Sequence, residues 1–254
     1  MDESALQRFT ADGYIVLRDL ISSGRVDDVF DRIRWICEHR SELRDELIQI
    51  EPAVREGLVQ PADFELGVRK LFRIARHDSF FRDLASDPAI LDVARSLTGQ
   101  HLRLAQSMLL MKSPGVSTIK VWHQDNAYFR LSPSKVVGFW IACDPATVAN
   151  GCMHIVPGSH HGGLQAHSGP GDEYGSDVIP DEREIVAVPL NPGDALVFHG
   201  ELLHFTPENQ TQFRRRAIQL HYADAACEAG EGPDGFRFRP EIEFGPSNQS
   251  KSRC

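Results

Sequence analysis

Apolar positions follow two rhythms along this chain, and the change from one to the other divides it. Up to about residue 100 they recur at three- and four-residue steps, the spacing that gathers side chains on one face of a helix. Ser4 to about Leu20 reads as a short helix, a stop at Gly13 and a strand Tyr14-Ile15-Val16-Leu17. Residues 24–48 read as a longer helix with Val26, Val29, Phe30, Ile33 and Cys37 on its apolar face. The pattern over 50–65 is ambiguous, and helices resume over 66–75 and 79–85. Asp87 to Gly99 has the clearest helix signature: Asp87 as cap, Pro88 in the first turn, Ile90, Leu91, Ala94 and Leu97 on one face, Gly99 as the stop.

Beyond residue 100 the apolar runs become short and rich in Val, Ile, Leu and aromatics. Strands are expected over 102–112, 118–125, 135–143, 152–156, 185–190, 194–199 and 215–223. Turn signals separate them, among them Ser113-Pro114-Gly115, Asn150-Gly151, Pro157-Gly158 and Asn191-Pro192-Gly193-Asp194. Many short strands divided by such turns predict a mainly β jelly-roll core with flanking helices. The stretch from about 159 to 184 is too long for a hairpin and is expected to be a lid or binding loop. The Gly- and Pro-rich tail after about Ala229 is expected to be a loosely held arm. With neither an internal repeat nor a linker, the chain reads as a single domain over 1–254.

Composition narrows the function classes. A net charge of -9 argues against a nucleic-acid backbone as principal partner, which calls for basic surface. Apolar runs fall short of the roughly 20 residues that span a bilayer, and Met1-Asp2-Glu3-Ser4 does not open like a secretory signal. The five cysteines form an odd set without a CxxC pair, as expected of reduced thiols in a cytoplasmic protein.

The chemical signal begins at Trp122-His123-Gln124-Asp125-Asn126. If His123 and Asp125 lie on one strand, side chains at i and i+2 share a face and set an imidazole beside a carboxylate. A third imidazole would complete the two-His, one-carboxylate facial triad of non-haem Fe(II) oxygenases, which leaves coordination positions open. Spacing alone leaves two candidates for it. His199 ends the apolar run Ala195-Leu196-Val197-Phe198, and His204 precedes Phe205-Thr206-Pro207-Glu208-Asn209, where the chain turns. On the last strand Arg215, Ala217, Gln219 and His221 share a face with the small and polar lining expected beside a wet cavity. An Arg there can grip a carboxylate through two parallel hydrogen bonds. Two of Arg214, Arg215 and Arg216 are expected at a solvated basic edge.

Several blocks occur together and in order: Phe9-x-x-Asp12-Gly13-Tyr14-x-Val16-Leu17-Arg18, Trp122-His123-Gln124-Asp125, and Asn150 through His160. Pro192-Gly193-Asp194-Ala195-Leu196-Val197-Phe198-His199, then His204-x-Thr206-x-x-Asn209, and Arg215 follow them. Over roughly residues 5 to 223 this arrangement resembles the phytanoyl-CoA dioxygenase family of Fe(II)/2-oxoglutarate oxygenases, which includes ectoine hydroxylase. The resemblance implies a double-stranded β-helix (jelly-roll, cupin-like) core that uses Fe(II), 2-oxoglutarate and O2. It gives the third ligand position to His204, and makes Arg215 the grip on the distal carboxylate of 2-oxoglutarate. Thr206 stands where the family often has Ser, keeping a hydroxyl for that carboxylate, and Gln106 and Trp140 fall at cosubstrate positions.

Related halogenases have Gly or Ala where this chain has Asp125, so hydroxylation is the expected reaction. Desaturation, epimerisation or cyclisation remain open to the same oxidant. The expected partner is a small metabolite or natural product, bound by a monomer or homodimer. Its candidate contacts are Asn126, Tyr128, Phe129, Arg130, His154 and the 160–184 loop, with Tyr128 and Phe129 equally suited to a core. Two competing readings use the same ligands: a non-catalytic metal-binding jelly-roll protein, and a zinc hydrolase. The complete triad together with Arg215 favours the oxygenase.

Overall fold

The computed structural model describes residues 1–42, 47–235 and 238–246. Two antiparallel sheets form its centre. The larger runs, neighbour by neighbour, Tyr14–Leu17, Ala195–His199, Val136–Ala142, Arg215–Asp224, Leu102–Lys112, Val68–Phe72 and Ile48–Ile50. The smaller runs Val186–Val188, Met153–Ile155, His204–Thr206 and Lys120–His123. All seven expected strands form, and the mainly β jelly-roll with flanking helices is the fold.

Strand alternation divides the larger sheet into two faces. Ile218, Leu220 and Tyr222 point outward and pack with Val29 and Ile33 of the helix Ser23–Glu38 and Ile90 of the helix Pro88–Leu97. Trp140, Leu196 and Ala217 point inward and meet Met153, Ile155 and Val188 of the smaller sheet. Helices thus seal one face, and the space between the sheets is left for chemistry. Asp87 caps Pro88–Leu97 as expected, accepting from Ala89 N at 2.8 Å, although Thr98 rather than Gly99 is its C-cap.

Three expectations are corrected. The helix expected over 24–48 ends at Glu38, a single turn Arg40–Glu42 follows, and Ile48 already belongs to a strand; residues 43–46 lie outside the described residues. Where a helix was expected over 66–75, Val68–Phe72 is a strand followed by the one-turn helix Ile74–His77. The edge of Leu102–Lys112 is the reason: pairing Lys70 with Leu110 and Phe72 with Met108 satisfies the backbone along a sheet, and a lone turn cannot match that.

The tail after Ala229 is held where a loose arm was expected. Ile242–Phe244 pairs with Leu102–Lys112 through Ile242↔Leu104 and Phe244↔Leu102. The carboxylate of Glu241 accepts from Ser107 N at 2.9 Å and from Ser107 Oγ at 2.5 Å. Ile242 and Phe244 pack on the outer core, which supplies the apolar area that a polar tail seemed to lack. Residues 236–237 and 247–254 of that tail lie outside the described residues.

Candidate active site

Lys120–His123 and His204–Thr206 are neighbours in the smaller sheet, and their register sets His204 opposite His123, with ring centroids 4.1 Å apart. His204 therefore stands on a strand of its own, ahead of the turn that follows Thr206. The expected placement of His123 and Asp125 on one strand does not hold. The strand stops at His123, and Asp125 has helical backbone (φ -63, ψ -34) at the start of the turn Asn126–Phe129. Donation from Asn126 N to Gly200 O at 2.8 Å anchors that turn. It brings Asp125 Oδ1 to 3.5 Å from His123 Nε2 and 3.7 Å from His204 Nε2. These three buried side chains offer ligand atoms within 4.8 Å of one another. His199 is elsewhere: it ends its own strand, and its Nδ1 accepts from Glu201 N at 3.1 Å.

The protonation states suit a metal. His123 Nδ1 donates to Val121 O and His204 Nδ1 to Leu202 O, both at 2.8 Å, which turns each Nε2 lone pair toward Asp125. Burial, reinforced by His204 and Lys120, pushes His123 down to about 3, and burial also lowers His204. For Asp125 burial opposes ionisation, yet the neighbouring imidazoles of His221 and His204, with the hydrogen bond from His221, hold its carboxyl well below the usual range. Two neutral imidazoles and one carboxylate are what a divalent cation requires.

A cavity of about 630 Å³ opens beside the triad, and Gln106, Trp140, Thr206 and Arg215 line it. Arg215 is 1% exposed, and its Nε and Nη1 have no hydrogen-bond partner among the described residues. Burial lowers it to about 10, so it stays charged at neutral pH. The fully buried Trp140 also leaves Nε1 without a partner. A buried cation with idle N–H groups is costly until an anion meets it, so this wall fits a carboxylate-bearing ligand next to the triad. The flanking arginines are not at a solvated edge, as two of the three were expected to be. Arg216 pairs with Asp144 at 2.8 Å and lies over Phe30, and Arg214 pairs with Glu65 at 2.5 Å. Glu65 comes from the one-turn helix Phe64–Gly67 and Asp144 from the bend after Val136–Ala142, neither of which strand spacing alone reveals.

Of the candidate substrate contacts, Tyr128 and Phe129 line the cavity. Asn126 does not: its amide bridges Leu131 O, Ser134 Oγ and Glu201 Oε1 and fixes the turn. Arg130 reaches the hydroxyl of Tyr174 at 3.3 Å, and His154 packs on Phe205 outside the cavity. The loop beyond Ser159 is tied to the metal motif by Gln124. The Gln124 amide donates to Gly163 O and Glu201 O and accepts from Gln165 N, and its backbone N donates to His167 Nε2. Tyr174 and Gly171 of this loop form part of the cavity wall. Sequence reasoning assigned no role to Gln219 and His221, which reach Asp125, although their polar strand face was the signal. Glu51 and Lys112, also on the wall, gave none.

A model of the phytanoyl-CoA dioxygenase (PhyH) family matches residues 9–217. Phytanoyl-CoA dioxygenase domain-containing protein 1 of Bos taurus is 28% identical, over 97% of this chain and 98% of that protein. Its Mus musculus counterpart is 31% identical over 67% of this chain, which spans 62% of the mouse protein's length. Among solved structures, the non-heme alpha-ketoglutarate-dependent carbocyclase SnoK from nogalamycin biosynthesis superposes with a TM-score of 0.72 at 25% identity, over 92% of this chain and 88% of that one.

Proposed function

The chain belongs to the phytanoyl-CoA dioxygenase family, and on that premise we propose that it is an Fe(II)- and 2-oxoglutarate-dependent dioxygenase that hydroxylates an unactivated C–H bond of a small metabolite or natural product. His123, Asp125 and His204 would hold the iron, and Arg215 the distal carboxylate of 2-oxoglutarate, with Thr206, Gln106 and Trp140 on the same wall. When bound, the iron and 2-oxoglutarate supply an O2-derived oxidation of a C–H bond coupled to release of succinate and CO2. The chain's own part is to present two neutral imidazoles and one carboxylate, to offer a fixed cationic fork, and to wall the reacting carbon from water. Tyr128 and Phe129 provide the apolar wall for substrate. We place the enzyme in the cytoplasm as a monomer or homodimer; among the described residues no helix is long and apolar enough to cross a membrane.

The observation that carries this reading is the buried guanidinium of Arg215, whose Nε and Nη1 have no hydrogen-bond partner among the described residues, on the wall of the cavity that holds the triad. Together with the family membership it favours an oxygenase over a zinc hydrolase built on the same three ligands. SnoK, with the same fold, is by name a carbocyclase, which supports cyclisation as the second reading for the same oxidant. The test is anaerobic titration of metal-free protein with Fe(II) and 2-oxoglutarate, following the visible charge-transfer band of the chelate. The band should appear and weaken in Arg215→Ala. Iron binding without a band would overturn the dioxygenase and leave a metal-binding protein.

A further inference from the structure

Asp125 has two oxygens, and only one faces the triad. Oδ1 lies 3.5 and 3.7 Å from the Nε2 atoms of His123 and His204. Oδ2 turns the other way, 2.6 Å from Nε2 of His221 and 3.4 Å from Nε2 of Gln219. An ionised carboxylate can only accept, so the short contact is a donation from His221 Nε2–H.

The fold places this imidazole with care. His221 sits in the middle of the larger sheet, opposite Gly138 on one neighbour and Gln106 on the other. Against Leu102–Lys112 the register shifts between His221 and Tyr222, an irregularity of the kind that re-aims a side chain. The ring is fully buried, with Phe129 and Phe198 around it at 5.2 and 6.4 Å between centroids. Gly138 makes room for Phe198: a Cβ there would stand 2.5 Å from that ring. His221 Nδ1 has no partner among the described residues, so the hydrogen bond of the imidazole is the donation from Nε2 to Asp125, and the Gln219 amide, itself a donor, lies beside it and directs its own N–H at Oδ2.

We propose that His221 is a positioning residue for the metal centre: by holding Oδ2 it makes Asp125 a one-oxygen ligand. Carboxylates bind cations through one oxygen or both. A second Asp125 oxygen on the metal would fill a position that the bound cosubstrate and O2 need. His221 closes that alternative from outside the coordination sphere. This inference rests on the reading of the triad as the iron site.

The test compares wild type with His221→Gln, His221→Asn and His221→Leu. Glutamine carries an N–H out to about the position of the imidazole Nε2, and asparagine falls one methylene short. Metal-free proteins are titrated with Co(II), whose visible spectrum reports both affinity and coordination number, and then anaerobically with Fe(II) and 2-oxoglutarate. His221→Gln should keep Co(II) affinity within about threefold of wild type, whereas His221→Asn and His221→Leu should lose roughly 10- to 100-fold and show an altered Co(II) spectrum. If His221→Leu does not fold, the glutamine–asparagine pair, checked by near-UV circular dichroism, decides. Equal affinities and spectra for His221→Gln and His221→Asn would overturn the positioning role. Absence of the 2-oxoglutarate band in wild type would instead overturn the dioxygenase reading, so the two failures are distinct.

Discussion

The guanidinium of Arg215 lies over the indole of Trp140, 5.1 Å from the ring centroid. A guanidinium held over an aromatic face by cation–π attraction is restrained before any ligand arrives. Arg215→Lys keeps the charge and loses the fork. The 2-oxoglutarate concentration for half-maximal turnover should rise about tenfold or more, equivalent to about 1.4 kcal/mol, with kcat at saturating cosubstrate little changed. Succinate release against 2-oxoglutarate concentration measures both.

Replacing any of the three ligand residues should stop turnover. His123→Ala, Asp125→Ala and His204→Ala each remove one of the donor atoms that lie within 4.8 Å of one another. Metal content after loading should fall with activity. Full activity in Asp125→Ala protein would remove the triad from consideration.

Acid should destabilise the metal-free protein in a defined window. His123 is held down to about 3 against the ordinary 6.5 of an imidazole, and His204 is lowered too. Between those limits the unfolded chain takes up a proton that the folded chain refuses, so stability falls as pH drops through the window and is unaffected by these groups above it. Asp125, held below its ordinary value, adds a loss only in stronger acid. Thermal melts from about pH 7 down to about pH 5 should show the decline, with a shallower slope in His123→Ala. Co(II) affinity should stay nearly flat over that range, because the folded ligands carry no proton for the metal to displace.

Gln124→Leu should loosen the loop beyond Ser159. The fully buried amide holds Gly163, Gln165 and Glu201 at 2.7–2.9 Å, and leucine leaves those backbone groups unsatisfied. A loss of about 3 kcal/mol is expected, with faster hydrogen exchange over residues 163–177 read by mass spectrometry. Exchange unchanged there would show that the loop is held by other contacts.

The strands of the core were legible because their alternation and their Gly/Pro turns are local properties. The closeness of His123 and Asp125 was legible too, though for a partly mistaken reason: Asp125 reaches His123 through a turn and not along a strand. The choice of His204 over His199 came from resemblance, since both follow the same apolar run. Other features depend on partners distant in sequence. Val68–Phe72 is a strand because Leu102–Lys112 offers an edge, and Arg216 is half-buried because Asp144 and Glu65 are near. His221 lay on the expected polar face, but its hold on Asp125 depends on sheet register and on the turn after His123, which no window of sequence contains.

The order of strands in the larger sheet also constrains when the protein can fold during synthesis. Tyr14–Leu17 finds its partner only in Ala195–His199, and part of the edge of Leu102–Lys112 is covered only by Ile242–Phe244. On the ribosome the first of these strands is made long before its neighbour exists, and the sheet closes only after residues 242–244 have emerged. Helices that cover the outer core are available early, but the surface they cover is not. The nascent chain therefore carries exposed apolar strands until residues 195–199 have emerged, and the triad, whose members run from His123 to His204, can assemble only after His204 has been made.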